Sequence, residues 1–250
     1  MTTFEIYPLY SYDHFSKSSR LLLTILCKHL RPISLTPILS KVAEEIVLNK
    51  FIKPAILKMV DPRQFGVVLK SSTSYALISM IHHLTSATDG NGSLARFFFP
   101  DYCKAFDLID HYLLVNKLCS LDIPPWVVRW VSDFLTARQQ RVKLGTNDYS
   151  EWSEVPTGVP QGRILGPWLY ALMMNDLDVS GVSLWKYVVA LTVSEIVPKN
   201  MTSNIQSIVD DIQSQSESLK FTLNEDKCQE MRIQFSKAQS QCLPLTTDLL

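Results

Sequence analysis

Hydrophobic residues recur every three or four positions along six segments of the chain, a spacing that gives a helix one apolar face. The first segment begins at Ile38, carries charged residues on its opposite face, and is expected to bend or end at Pro54. The predicted helices cover residues 38–51, 73–84, 111–121, 125–135, 164–174 and 201–219.

Short apolar or alternating runs between these helices predict strands. Residues 95–99 form one strand, residues 184–188 and 191–197 form two strands joined by a turn, and residues 232–235 form a last strand. Residues 140–144 and 150–155 are typical of a hairpin. Helices mixed with short strands in this order indicate an α+β fold, with acidic and glycine-rich loops gathered on one sheet edge.

The strand at 95–99 is followed closely by three acids, Asp101, Asp107 and Asp110. A carboxylate at the end of a strand is a candidate for metal binding or acid–base chemistry, and Asp101 has that position. Asp110 precedes the next apolar pattern and is expected to cap a helix. The alternative is a strand followed by a capped helix, without any site.

Composition narrows the possible function. A chain of 250 residues can form one large or two small domains, and its zero net charge means that a nucleic-acid partner would bind a local basic surface. Five scattered cysteines without a C-x-x-C pair indicate reduced thiols in an intracellular protein and not a zinc site, and they do not choose between nucleus and cytoplasm. The apolar run at 21–27 is too short to span a membrane, so no membrane partner is expected. Composition predicts no particular oligomeric state.

Eight short motifs occur in order between residues 29 and 248. They are Arg31-Pro-Ile-Ser-Leu35, Gln64-Phe-Gly66 with Ser72-Thr73, Asp101-Tyr-Cys-Lys-Ala-Phe-Asp107, Arg138-Gln-Gln-Arg-Val-Lys143, Gly158-Val-Pro-Gln-Gly162, Leu165-Gly-Pro167, Asn175-Asp-Leu177 and Leu223-Asn-Glu-Asp-Lys-Cys228. Together they resemble the reverse transcriptase domain of a non-LTR (LINE-type) retrotransposon. An unrelated α+β scaffold with chance motifs is the alternative.

The resemblance implies a right-hand polymerase fold with palm and fingers, truncated before the thumb. Residues 1–28 stay unassigned, residues 29–95 are fingers-like, and residues 96–250 are palm-like, interrupted by fingers or hairpin elements. The implied partners are an RNA template, a DNA primer and dNTP, and the implied cofactor is Mg²⁺ or Mn²⁺, because nucleotide addition uses two metal ions held by carboxylates.

The resemblance also implies roles for single residues. Asp101 matches the first metal-binding aspartate, and Lys227 matches a lysine that acts as general acid near the pyrophosphate. Phe106 matches the side chain under the incoming sugar, although packing at the start of a helix is its plainer role. Lys227 has a plainer role too, as a solvated surface cation.

Further positions match the nucleotide and nucleic-acid contacts of the family. Arg31 matches a fingers arginine on the triphosphate, with a solvated surface cation as the alternative. Gln161 and Gly162 belong to the loop that lines the nucleotide. The cations of the predicted hairpin either follow a phosphate backbone or form a solvated strand face, and they are Arg138, Arg141 and Lys143.

The chain departs from the family at the second metal position. Where the family carries a pattern like Lys-Tyr-Val-Asp-Asp, this chain has Lys186-Tyr187-Val188-Val189-Ala190, and both carboxylates are lost. Glu195 is the nearest acid in the sequence. It is a poor substitute, because it is distant from the turn and because side chains alternate between the two faces of a strand. The sequence therefore predicts a degenerate, inactive copy. The alternative is a non-catalytic nucleic-acid-binding remnant or a translated pseudogene fragment.

Two smaller departures carry expectations of their own. Pro100 is expected to remove a ladder hydrogen bond from the central strand. Arg163 stands where the family prefers a small residue, and its long cation is expected to enter the nucleotide pocket.

Overall fold

The structure, a computed structural model, describes residues 3–7, 33–35, 37–89, 93–144 and 148–234. Helices and strands are mixed along the chain, as predicted for an α+β fold. The α-helices are α1 (Ile38–Val47), α2 (Lys53–Met59), α3 (Thr73–Thr88), α4 (His111–Cys119), α5 (Pro125–Leu135), α6 (Leu165–Met174) and α7 (Ile205–Ser218). The strands are β1 (Thr3–Tyr7), β2 (Ile33–Leu35), β3 (Leu94–Phe99), β4 (Gln139–Leu144), β5 (Asp148–Tyr149), β6 (Ser153–Glu154), β7 (Ser183–Tyr187), β8 (Ala190–Val197) and β9 (Gln229–Gln234).

The chain divides into two compact units. Unit 1 contains Met1–Ala55 and Ile109–Gly166, and unit 2 contains Ile56–Leu108 and Pro167–Leu250. The fingers-like and palm-like regions, residues 29–95 and 96–250, are defined by expected roles in a polymerase and not by compactness. That assignment stays a prediction.

The helical stretch after residue 38 differs from its prediction. Pro54 does not end it, because a π-helical segment at Leu48–Ile52 leads directly into α2. A π turn widens the helix, which gives room for a proline ring that would otherwise meet the carbonyl four residues earlier. The buried face agrees with its prediction only in part: Val47, expected on the apolar face, is buried, but so is Glu44, which was expected on the charged face. The predicted apolar residues Ile38, Leu39, Val42 and Ile46 are exposed.

Helix α5 follows its prediction more closely. It begins with Pro125 in its first turn, where the missing N–H of proline costs no hydrogen bond. Its face with Val127, Val131 and Leu135 is fully or almost fully buried, whereas Trp126 is 53% exposed. The sheet of unit 1 has the strand order β2-β1-β4-β5, with β6 also paired to β4, so the predicted hairpin is confirmed as part of a larger sheet.

Unit 2 is built on an antiparallel sheet with the strand order β7-β8-β3-β9. Strand β3 is central, pairs Phe98 with Val193 on β8, and is buried along most of its length. Ala95, Phe97 and Trp185 form the centre of a hydrophobic cluster on this sheet. Helix α3 contributes Met80 and Leu84 to the cluster.

The strand predictions for unit 2 are confirmed, with one correction. Strands β7 and β8 form the expected hairpin, and β9 forms at the expected last strand. Pro100 was expected inside the central strand, but β3 ends at Phe99, where the last pair is formed with Gln229. Pro100 therefore follows the ladder and removes no hydrogen bond from it. Within the part of the chain that the structure describes, no helix is long and apolar enough to cross a bilayer.

Candidate active site at the β7–β8 hairpin

The turn of the β7–β8 hairpin contains only Val188 and Val189, because Tyr187 pairs directly with Ala190. Val188 has a φ of 53°, in the left-handed region that a β-branched residue rarely adopts. Such a conformation costs on the order of 1–3 kcal/mol and persists only where surrounding contacts determine it. The contacts that hold this turn are therefore part of the site.

The Gln64-Phe65-Gly66 loop supplies those contacts. The Phe65 N–H donates to the Lys186 carbonyl (2.8 Å), and the Lys186 N–H donates to the Arg63 carbonyl (2.9 Å), so the loop adds a short parallel bridge to β7. The side-chain Oε1 of Gln64 accepts a hydrogen bond of 2.8 Å from the N–H of Val188. A Cβ atom on Gly66 would lie 2.6 Å from the Val188 nitrogen, so the close approach requires glycine.

A buried ion pair also holds this loop against β7. The Lys186 side chain is fully buried, and its Nζ lies 3.1 Å from Asp61 Oδ2 and donates to the Asn175 carbonyl at 3.2 Å. Burial by itself would raise the pKa of Asp61, but hydrogen bonds from Arg63 and Lys186 outweigh it and lower the pKa to about 2. Lys186 is thus neutralised by a carboxylate that stays ionised at neutral pH.

Asp101 lies just beyond the end of β3 and is partly exposed. The last pair of the β3–β8 ladder joins Phe98 to Val193, three residues before Asp101 and three residues after Ala190, so both positions lie toward the same end of the sheet. The segment directly before β9 holds the backbone of Asp101. The Asp101 carbonyl accepts a hydrogen bond from the Asn224 N–H (2.8 Å), and the Asp101 N–H points to Cys228 Sγ (3.4 Å).

Lys227 belongs to the segment that holds Asp101. It ends the one-turn 3₁₀ helix Glu225–Lys227, is exposed, and its N–H donates to the carbonyl of Asn224. The structure therefore brings Asp101, the hairpin turn and the predicted general acid into one region of unit 2.

Phe106 is half-buried in an aromatic cluster of the same unit. Its ring centroid lies 5.2 Å from that of Tyr170, which stacks on Phe221 at 5.4 Å. Tyr102 packs against Phe221 and shares a hydrogen bond of 3.1 Å with Ser216 Oγ. Burial raises the pKa of Tyr102 to about 12. Phe106 thus packs on Tyr170 while part of it stays exposed, an arrangement compatible with both predicted roles.

The donor set does not fit a pair of magnesium ions. Mg²⁺ requires hard oxygen ligands, and Val189 and Ala190 at the hairpin turn supply no side-chain oxygen. Among the described residues, no group of three His, Cys, Asp or Glu side chains could hold a metal ion. Glu195 does not replace them, because its carboxylate accepts from Ser203 Oγ (2.5 Å) and from the Asn204 N–H (2.6 Å) at the start of α7.

The predicted nucleotide-binding loop lies in unit 1 and is held from within that unit. Gly162 has a φ of 82°, and Gln161 accepts a hydrogen bond of 3.0 Å at its carbonyl from the Ser34 N–H. The Gly158 carbonyl lies 2.8 Å from His111 Nε2, and burial lowers the pKa of His111, so a neutral ring donates here. Arg31 lies outside the described residues.

The hairpin cations have different environments. Arg138 is only 4% exposed and donates to the carbonyls of Leu135, Thr157 and Gly158, which favours a structural role over contact with a phosphate backbone. The guanidinium of Arg141 lies over an aromatic ring. Lys143 is in β4, but its side chain lies outside the described part of the structure.

Arg163 does not extend into a nucleotide pocket as expected. Its side chain is fully buried in unit 1, forms an ion pair with Glu44 of α1, and donates to Ser40 Oγ at 2.6 Å. Burial lowers its pKa to about 10. The guanidinium of Arg163 is neutralised by the buried carboxylate of Glu44 on α1. This ion pair explains why Glu44 faces the interior.

Sequence reasoning missed Lys186 and Asp61 as determinants of the site. A lysine directly after Leu184 and Trp185 in a buried strand was the available signal, because an unpaired buried ammonium ion is too costly to persist. The signal indicated that a partner exists but could not identify Asp61, which lies far away in sequence.

Comparison with known proteins gives a family match. The profile described as "Reverse transcriptase (RNA-dependent DNA polymerase)" matches residues 16–244. The RNA-directed DNA polymerase from mobile element jockey of Drosophila melanogaster is 29% identical over 85% of this chain and 24% of the relative. The probable RNA-directed DNA polymerase from transposon BS of the same organism is 32% identical over 59% of this chain and 16% of the relative. The chain spans about a quarter or less of the length of these relatives.

Solved structures with a similar fold include two telomerases. Telomerase from Candida albicans in complex with a TWJ fragment of telomeric RNA has a TM-score of 0.58 at 13% identity, over 96% of this chain and 42% of that one. Apo telomerase from Candida tropicalis, truncated from its C-terminal domain, has a TM-score of 0.53 at 10% identity, over 95% of this chain and 51% of that one. At such identities the likeness shows the fold alone.

The buried ion pair generates a stability prediction. Asp61→Asn should lower the free energy of unfolding by about 3 kcal/mol, because Lys186 stays buried without a counter-charge. The double variant Asp61→Asn with Lys186→Met should recover part of that loss. Because the folded pKa of Asp61 lies below its ordinary 3.8, its contribution is present above that pH and is lost as the pH falls toward 2.

Urea denaturation at pH 7 and between pH 5 and pH 2 measures both effects. Asp178→Asn is the matched control, since this carboxylate also pairs with Arg63 but is 60% exposed, and it should change stability by less than about 1 kcal/mol. If Asp61→Asn were no more destabilising than Asp178→Asn, the ion pair would not hold the loop.

Proposed function

The chain belongs to the reverse transcriptase family, and from this premise we propose that it binds a primed RNA template as a non-LTR reverse transcriptase domain but does not catalyse nucleotide addition. The prediction of a LINE-type reverse transcriptase domain is confirmed by the family match and by relatives that are polymerases of mobile elements. The predicted polymerase fold is confirmed at the level of the reverse transcriptase fold.

The observation that carries the inactivity is the hairpin turn itself. Nucleotidyl transfer is an in-line displacement in which two divalent ions neutralise charge on the attacking and leaving oxygens. The family implies dependence on Mg²⁺ or Mn²⁺, and these ions need several carboxylates in one place. Asp101 is retained, but Val189 and Ala190 stand where the resemblance to the family places the other carboxylates.

The remaining predicted residues keep binding roles in this proposal. Phe106 would lie below the sugar of a bound nucleotide, with Tyr170 behind its ring. Exposed Lys227 would contact a phosphate next to Asp101. Gln161 and Gly162 would approach a nucleotide through backbone that glycine leaves open, and Arg31 would contact the triphosphate.

A non-catalytic binding remnant is therefore favoured over a working polymerase. The curated relatives are named RNA-directed DNA polymerases, and the similar Candida albicans telomerase was solved with a telomeric RNA fragment. An RNA template and a DNA primer are accordingly the proposed partners. With a net charge of zero, the chain must contact phosphates through local cations.

Primer extension tests the proposed inactivity. Purified protein with a primed RNA template, dNTPs and Mg²⁺ or Mn²⁺ should show no incorporation above background, because losing an electrostatic stabiliser costs at least roughly 10²–10³ in rate. Asp101→Asn should be indistinguishable from the wild type. Incorporation that Asp101→Asn abolishes would contradict the proposal.

Restoring the carboxylates tests whether the turn still has the geometry of a metal site. The variant Val189→Asp with Ala190→Asp should gain Mn²⁺ binding, because the Gln64 and Lys186 contacts that hold the turn do not involve the replaced side chains. Calorimetry and electron paramagnetic resonance of Mn²⁺ measure it. Adding Asp101→Asn should remove the gained binding, and unchanged binding in that triple variant would exclude a shared site.

Nucleic-acid binding is tested separately by salt titration. Affinity for a primed RNA template should fall steeply between 50 and 200 mM salt as phosphate contacts release counterions. Fluorescence anisotropy with a labelled primer measures the slope. Absence of binding at low salt would exclude the binding role while leaving the inactivity untouched.

A further inference from the structure

We propose that Tyr149 and Trp152 of unit 1, with Arg141 held between them, form a stacking surface for unpaired bases of single-stranded nucleic acid. This inference rests on the proposed binding of nucleic acid and adds a specific contact surface to it. These three residues are the stacking surface.

The three side chains come together through short strand pairings. Arg141 is in β4, Tyr149 ends β5, and Trp152 directly precedes β6. The Cζ atom of Arg141 lies 4.0 Å from the ring centroid of Tyr149 and 4.5 Å from that of Trp152. The planar guanidinium is thus in cation–π contact with both rings, which fixes their orientation.

Exposure shows that the rings are not simply core residues. Tyr149 is 42% and Trp152 is 41% exposed, although the guanidinium already covers part of each ring. An exposed, oriented aromatic pair loses little conformational freedom when a flat ligand binds. A base has a flat π face of its own and stacks on such rings largely independently of sequence.

The charges near the stacking surface favour contact with bases over contact with phosphates. The two cations of β4 next to these rings, Arg141 and Lys143, are matched in number by exposed Glu151 and Glu154 on the stretch with Trp152, so this surface carries no net positive charge. Cation–π contacts already engage Arg141. Attraction of phosphates is therefore weak here, and base stacking is the contact that these residues favour.

Binding of a labelled 12-nucleotide oligo(rA) and of an RNA duplex of equal length tests the surface. Tyr149→Ala and Trp152→Ala should each weaken binding of the single strand by about 5- to 150-fold, the range expected for one stacked base. Binding of the duplex should stay unchanged because its bases are not available. Trp152→Phe, which keeps an aromatic ring, should stay within about threefold of the wild type.

Trp126→Ala is the matched control, since Trp126 is 53% exposed on α5 and packs edge-on against Phe51. It should leave both affinities unchanged. Trp152→Leu keeps an apolar side chain for folding yet removes the ring, so it should weaken binding of the single strand by the same factor, and it tests the surface if the alanine variant does not fold. If the wild type binds the single strand and neither Trp152→Leu nor Tyr149→Ala changes its affinity, this inference is overturned while the proposed binding function stands. No binding of either RNA by the wild type would overturn the proposed binding function as well.

Discussion

A single buried ammonium ion constrains the candidate active site. Lys186 lies in the strand that leads into the hairpin turn, and it is fully buried. Because a buried charge without a partner is too costly, Lys186 requires Asp61, and Asp61 brings with it the loop that carries Gln64 and Gly66. That loop holds Val188 in a backbone conformation that valine would not adopt unaided. The geometry of the turn thus depends on an interaction outside the turn.

Because of this separation, the shape of the turn does not depend on which side chains occupy positions 189 and 190. The contacts that hold it use backbone groups and the side chains of Gln64, Lys186 and Asp61. None of them is made by the side chains of Val189 or Ala190. Two adjacent carboxylates repel each other when no metal neutralises them, so their replacement removes a destabilising term. The proposed inactivity is therefore compatible with a preserved fold, as expected where active-site residues cost stability.

The cations of the chain show the same division between structure and contact. Arg138 matches a nucleic-acid contact in the sequence, and Arg163 was expected to enter the nucleotide pocket, yet both are buried and hold parts of unit 1 together. Arg141 is held between two exposed aromatic rings. In a chain without net charge, recognition of nucleic acid would then depend on a few oriented side chains more than on a general positive field.

Local patterns in the sequence predicted the family, the absence of carboxylates at positions 189 and 190, and most helices and strands, but not β1, β2 or the π-helical segment at Leu48–Ile52. Helical spacing, proline at a helix start and the position of Asp101 after a strand depend on neighbouring residues, so the sequence alone is sufficient for them. Only the tertiary structure decided which face of α1 is buried, where Pro100 lies relative to the ladder, and what Arg163 and Lys186 contact. The reason is physical: a buried charge must find a partner, and in this chain the partners Glu44 and Asp61 are more than a hundred residues away, at positions that no local pattern connects.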